Sequence, residues 1–300
     1  MKTPNSLWMP LAAALLTACT TPIKDQTPAK ADEPTRKPFA STYEVSSSPT
    51  TLILSATVLT GDGQQLEGTD VYLIDGKIAQ IGKNLSTDKA DEIVDGSGKW
   101  VTPGLIDVHS HMGVYPAPET SNHADGNEMT APVTAEVWAE HSVWPQDPQY
   151  EKALAGGITT FQVLPGSANL FGGRGVTLKN VASVTMQGMK FPDAPHSLKM
   201  ACGENPKRVY GGKGRAPSTR MGNMAGYRKA WIDAVEYRDA WQQFEAGEST
   251  KAPKRNLQLE TLKGVLDGEI RIHNHCYRAD EMAQMIDLSK EFGYEIAAFH

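Results

Sequence analysis

Val101-Thr102-Pro103-Gly104-Leu105-Ile106-Asp107-Val108-His109-Ser110-His111 opens with a Pro-Gly turn signal, runs into apolar residues and closes on two imidazoles. The apolar run reads as a strand. Residues i and i+2 of a strand face the same side, so Asp107, His109 and His111 are expected to point one way. A borderline cation such as zinc accepts neutral imidazole nitrogens, and a nearby acid such as Asp107 is a candidate to orient one of them. A bare His-x-His is weak evidence for a metal, and its surroundings decide the reading.

Downstream, apolar strands alternate with helices. Ala153 to Gly157 ends a helix, and Ile158–Leu164 reads as a buried strand. Val176–Leu178 and Leu198–Ala201 are the next strands, and helices are expected near 224–244 and 257–266. Ile270–His273 is a fifth strand. A helix carrying Met282, Met285, Ile286 and Phe292 follows and is closed by Gly293, and Glu295–Phe299 is the sixth strand. This alternation predicts parallel βαβ units and an α/β fold of the TIM-type (β/α)8 barrel class. Such a barrel takes ~250 residues, more than follow Trp100 here, so 101–300 is either a doubly wound open sheet or an incomplete barrel, the front part of a longer protein. The family resemblance of segment 101–111 favours the incomplete barrel.

Upstream, residues 51–100 carry short β-branched runs (52–54, 56–59, 71–74, 77–82 and 92–94) separated by Gly61-Asp62-Gly63, Asp75-Gly76 and Asp95-Gly96. Asp75-Gly76 between alternating strands is a hairpin signal. The segment reads as a small antiparallel β domain, part of a β-sandwich. Residues 20–50 are rich in Thr, Pro, Lys, Ser and Ala with few apolar side chains, which predicts a disordered tether. Residues 1–19 read as a processing signal, with Lys2 before an apolar stretch too short to span a bilayer. Leu16-Thr17-Ala18-Cys19 resembles the lipobox of bacterial lipoproteins. That resemblance implies lipidation at Cys19, membrane attachment through the lipid and, with Thr20 following, a periplasmic protein on the outer membrane.

The net charge is -6, with a pI near 5.8. No basic footprint for nucleic acid is present. Three cysteines are too few for a disulfide scaffold. Cys202 and Cys276 fall near the ends of neighbouring strands; a disulfide is open to them in an oxidising periplasm, and two buried thiols are the expectation.

The segment 101–111, set directly after a small β domain, resembles the amidohydrolase superfamily motif V-x-P-G-hydrophobic-I-D-x-H-x-H. The resemblance extends over about 51–300 and is nearest the imidazolonepropionase-like and Xaa-Pro dipeptidase-like branch. It implies one or two divalent ions, zinc foremost, and hydrolysis of an amide or other C–N bond of a small-molecule substrate through metal-activated water. His109 and His111 take the strand-one ligand positions. Lys199, as a carboxylated bridge, and Glu204 are rivals near strand four. His273 is the strand-five ligand, His275 lies near the substrate as the catalytic candidate or behind the ligands, and His300 is either the strand-six ligand or the residue just before it. The strand-eight aspartate of the family lies outside this sequence. A catalytically inactive metal- or ligand-binding lipoprotein and a heterocycle deaminase are the alternatives, and a homo-oligomer is compatible with either.

Softer features complete the reading. Phe171-Gly172-Gly173-Arg174-Gly175 fits neither phosphate-loop pattern and is expected to be an active-site loop. Lys207, Arg208, Lys213, Arg215 and Arg220 form a basic run, either solvated or gripping a substrate carboxylate. Asp125, Asn127 and Glu128 are candidate pocket residues, with a surface loop the equal alternative.

Overall fold

The computed structural model describes residues 39–300. Cys19, the processing signal and residues 20–38 of the expected tether lie outside the described residues. Phe39–Thr50 carry no helix or strand.

The first sheet contains β1 (Thr51–Leu59), β2 (Gln65–Ile74), β3 (Lys77–Gly82), β4 (Glu92–Asp95) and β5 (Trp100–Val101). β2 is antiparallel to both β1 and β3, but β4 and β5 run parallel to β1, so the sheet is mixed rather than wholly antiparallel. The runs 52–54 and 56–59 are one strand. Ser55 sits at φ 58° in a bulge between them, and its N–H donates to Asp70 Oδ1 at 2.8 Å. The 75–76 hairpin forms as expected, with positive φ at both Asp75 and Gly76. Ala56, Val58 and Val71 make the small core of this sheet.

The second sheet is a curled half-barrel. Its strands are β6 (Leu105–Ser110), β7 (Ile158–Val163), β8 (Phe171–Lys179), β9 (Ser197–Ala201), β10 (Arg271–His275) and β11 (Ile296–Phe299), hydrogen-bonded in chain order. The helices are α1 (Gln149–Ala155), α2 (Met186–Met189), α3 (Glu204–Gly211), α4 (Arg220–Glu245), α5 (Leu257–Leu266) and α6 (Ala279–Phe292). Most strands pair in parallel, but β8 is antiparallel to both neighbours, which corrects the uniform βαβ expectation. The reason is chain length. A parallel return needs a crossover of about a dozen residues, and the 164–170 connection is too short for one.

The glycine-rich stretch 171–175 is therefore strand, not loop. Segment 133–138 lies against it, through bridges from Val133 to Phe171 and from Trp138 to Arg174. A Cβ on Gly173, at φ 116°, would meet Val137 O at 2.5 Å. Only glycine admits that approach.

Helices α4, α5 and α6 cover the outer face of β9 and β10 and bury Tyr227, Trp231, Leu262, Met285 and Leu288 against Leu198, Met200 and Ile272. Asn256 caps α5 by accepting from Gln258 N and Leu259 N, and α6 stops at Gly293 in the left-handed conformation. Cys202 and Cys276 are joined as a disulfide with Cα atoms 5.1 Å apart, which corrects the expectation of two thiols. Their pairing follows from β9 and β10 being adjacent in register, each cysteine lying just past its strand.

Candidate metal centre

Strands β6, β9, β10 and β11 deliver polar residues to one end of the half-barrel. His109 and His111 come from the end of β6, with ring centroids 4.9 Å apart. His300 follows β11, its ring 4.4 Å from that of His109 and 5.2 Å from that of His273 on β10. His275 ends β10. Five of the chain's eight histidines thus gather in one place, from segments far apart in sequence.

Lys199 on β9 is fully buried among them. Its Nζ lies 3.3 Å from His109 Nε2 and donates to Pro165 O at 3.1 Å. Glu204 does not enter this cluster. It is exposed at the first position of α3. The rivalry between the two is physical in origin: a strand residue facing inward is buried, whereas the first residue of a helix after a rim turn is solvated.

Hydrogen bonds fix several rings. His111 Nδ1 donates to Leu164 O at 2.7 Å, which leaves its Nε2 free as a lone-pair donor. Asp107 does not orient an imidazole; its Oδ1 accepts the backbone N–H of His109 at 3.0 Å. The orienting acceptor is a main-chain carbonyl, and sequence reasoning missed it. It also missed Asn205, whose Nδ2 donates to His275 Nε2 at 3.2 Å. Tyr115, 5.8 Å from the His111 ring and hydrogen-bonded to Asn127, is a third omission. The only available signal was nearness in sequence: Asn205 follows Glu204, and Tyr115 lies one helical turn's length past His111.

Burial holds the imidazoles neutral. His109 is pushed down to about 3 and His273 to about 4, first by desolvation and then by the neighbouring cationic groups. Desolvation also lowers His111, His275 and His300. It brings the Lys199 ammonium down to about 8.

The donor set therefore fits a divalent cation: neutral imidazoles, one already oriented, around a buried amine. Among the described residues no three His, Cys, Asp or Glu side chains converge on one point. His273 Nδ1 and His300 Nε2 are instead hydrogen-bonded to each other at 2.9 Å. Beside the cluster lies a cavity of about 420 Å³, lined by Asp125, Asn127, Glu128, Trp138, His141 and Pro165 among others. In the basic run, Lys213 and Arg215 donate to the Met129 and Thr130 carbonyls, and Arg220 pairs with buried Glu281.

The crystal structure of an amidohydrolase from Thermotoga maritima MSB8 superposes with a TM-score of 0.76 at 37% identity, over 83% of this chain and 63% of that one. The chain belongs to the amidohydrolase superfamily. Amidohydrolase tasK of Hapsidospora irregularis is 32% identical over 252 residues, 77% of this chain and 26% of tasK. A dihydroorotase of Pelotomaculum thermopropionicum is 46% identical over 61 residues, 20% of this chain and 14% of that enzyme. No family model matches. This amidohydrolase chain spans about a quarter of the length of tasK and under two-thirds of the solved relative.

Proposed function

We propose that this amidohydrolase chain contributes the metal-binding half of a hydrolase acting on an amide or other C–N bond of a small molecule. The observation that carries the reading is the gathering of His109, His111, His273, His275 and His300 at one end of the half-barrel, beside fully buried Lys199, whose Nζ lies 3.3 Å from His109 Nε2. A buried amine with no anionic partner is costly in a structural role, and a carboxylated lysine would present oxygens to a cation at that position.

In this reading His109, His111, His273 and His300 hold one or two divalent ions, zinc foremost, with Lys199 favoured over exposed Glu204 as the bridge. A bound ion would supply Lewis acidity, polarising the scissile carbonyl and making water a stronger nucleophile at neutral pH. The remaining work falls to the chain's own residues. Asn205 occupies His275 Nε2, so the ring proton sits on Nδ1, where it is a fixed donor to developing negative charge on a substrate oxygen. The substrate enters the cavity bounded by Asp125, Asn127 and Glu128. Export with a lipid on Cys19 belongs to the same proposal. The Cys202–Cys276 disulfide supports it, since such bonds persist in oxidising compartments.

The test loads the purified full-length protein with zinc, manganese or iron and screens dipeptides, N-acyl amino acids, hydantoins and aminated heterocycles. Metal retention with turnover of a C–N substrate is expected. Ammonia release from a heterocycle would select the deaminase. Retention without any turnover would select the binding protein. No retention of any of the three metals would overturn the proposal.

A further inference from the structure

One wall of the cavity belongs to no strand of either sheet. Segment 136–142, with a 3₁₀ turn at Ala139–His141, contributes Trp138, Ala139, His141 and Ser142 to the lining. Its inner attachment is to β8. Arg174 N donates to Val137 O at 2.7 Å, and the Arg174 guanidinium lies 4.4 Å over the Trp138 ring, against which His141 stacks at 5.3 Å.

The outer attachment comes from the far end of the described chain. Phe39 packs its ring 4.8 Å from His141 and 5.8 Å from Trp138. Its carbonyl accepts from Lys190 Nζ at 3.0 Å, and the same ammonium reaches buried Glu140 at 2.5 Å. Lys190 thus joins residue 39 to the middle of the wall. Three further contacts hold the segment down: Ser41 Oγ donates to Lys190 O at 2.6 Å, Thr42 N donates to Gln187 O at 2.9 Å, and Lys179 Nζ lies 4.7 Å over the Tyr43 ring. The other Glu140 oxygen, also buried, makes no hydrogen bond among the described residues and faces His141 Nε2 at 3.9 Å, so Lys190 is the cation hydrogen-bonded to that carboxylate.

We propose that Phe39–Tyr43 is a positioning strap, which clamps segment 136–142 from outside through the Phe39 ring and the Phe39–Lys190–Glu140 link and so sets the width of the substrate cavity. The inference rests on the cavity being the substrate site, and its test separates the two. Phe39 is 45% exposed, so Phe39→Ala leaves the core intact.

Hydrogen exchange read by mass spectrometry on the full chain is the primary measurement. Phe39→Ala is expected to speed exchange in peptides covering 136–142 by about fivefold, from the loss of two ring contacts. Peptides covering 271–275 stay unchanged. Phe39→Tyr restores protection, and Ser41→Ala moves exchange in the same direction as Phe39→Ala by less. Unchanged exchange at 136–142, or an equal rise everywhere, overturns the strap. With the metal-loaded enzyme and the fastest substrate of the screen, Phe39→Ala raises KM with kcat held. A rise at 136–142 without turnover of any substrate supports the strap and counts against the hydrolase reading alone.

Discussion

Replacing Lys199 by Met keeps the length of the side chain and removes its nitrogen. Lys199 is fully buried, and its polar neighbours, Pro165 O and His109 Nε2, are both uncharged. Burial brings the ammonium from 10.5 down to about 8. In the metal-free protein the unfolded chain then binds more protons than the folded one between about pH 8 and 10.5. Stability therefore rises with pH across that window, and below it the full cost of about 3 kcal/mol stands. Lys199→Met removes that cost but strips Pro165 O of its donor, worth about 1 kcal/mol. The net expectation at pH 7 is a gain of about 2 kcal/mol, or a melting point higher by about 5 °C. Thermal melts of chelator-treated protein at pH 7 and at pH 10.5 measure it, and the gain should shrink at the higher pH. The same variant should lose zinc affinity by at least about a hundredfold. A variant less stable at both pH values that still binds zinc like the wild type would make Lys199 a structural residue and refute the reasoning.

His109→Ala and His273→Ala should each lower zinc retained after dialysis by at least about tenfold, measured by elemental analysis, with the far-ultraviolet spectrum unchanged. Retention at the wild-type level would remove that histidine from the ligand set. Lowered folded pKa values at His109, His111, His273, His275 and His300 mean that the unfolded state takes up more protons below about 6.5. Urea titrations of the metal-free protein should accordingly show stability present above pH 6.5 and lost as pH falls toward 4; a flat profile contradicts this. Arg220→Ala leaves Glu281 buried without its cation and should cost about 2–3 kcal/mol in equilibrium unfolding, with Glu281→Gln in the same background recovering part of it. Trp231→Ala empties the centre of the α4 packing and should cost about 3–5 kcal/mol by the same measurement.

What could be read from residues alone followed the range of the interaction that decides each feature. α5 falls at 257–266 as its periodicity predicts, and the Asp75-Gly76 turn forms because both positions tolerate positive φ. His109 and His111 face one way because a strand has a period of two. Features set by distant partners were not legible. The reversal of β8 depends on a connection too short to cross over, and the bulge at Ser55 depends on Asp70 across the sheet. Lys199 and Glu204 looked equal as ligand types. Only burial separates them, and burial is a property of the assembled barrel. Leu164 O and Asn205 orient His111 and His275 from other strands and loops, with no pattern that marks them.

Anomalous X-ray diffraction at the zinc edge, on crystals of the zinc-loaded chain, tests the central claim most directly. A peak ~2.0–2.1 Å from nitrogens of His109 and His111, with His273 and His300 turned from each other toward it, is the expected result. Crystals grown in zinc with no peak in that cluster, and with His273 still hydrogen-bonded to His300, would contradict it.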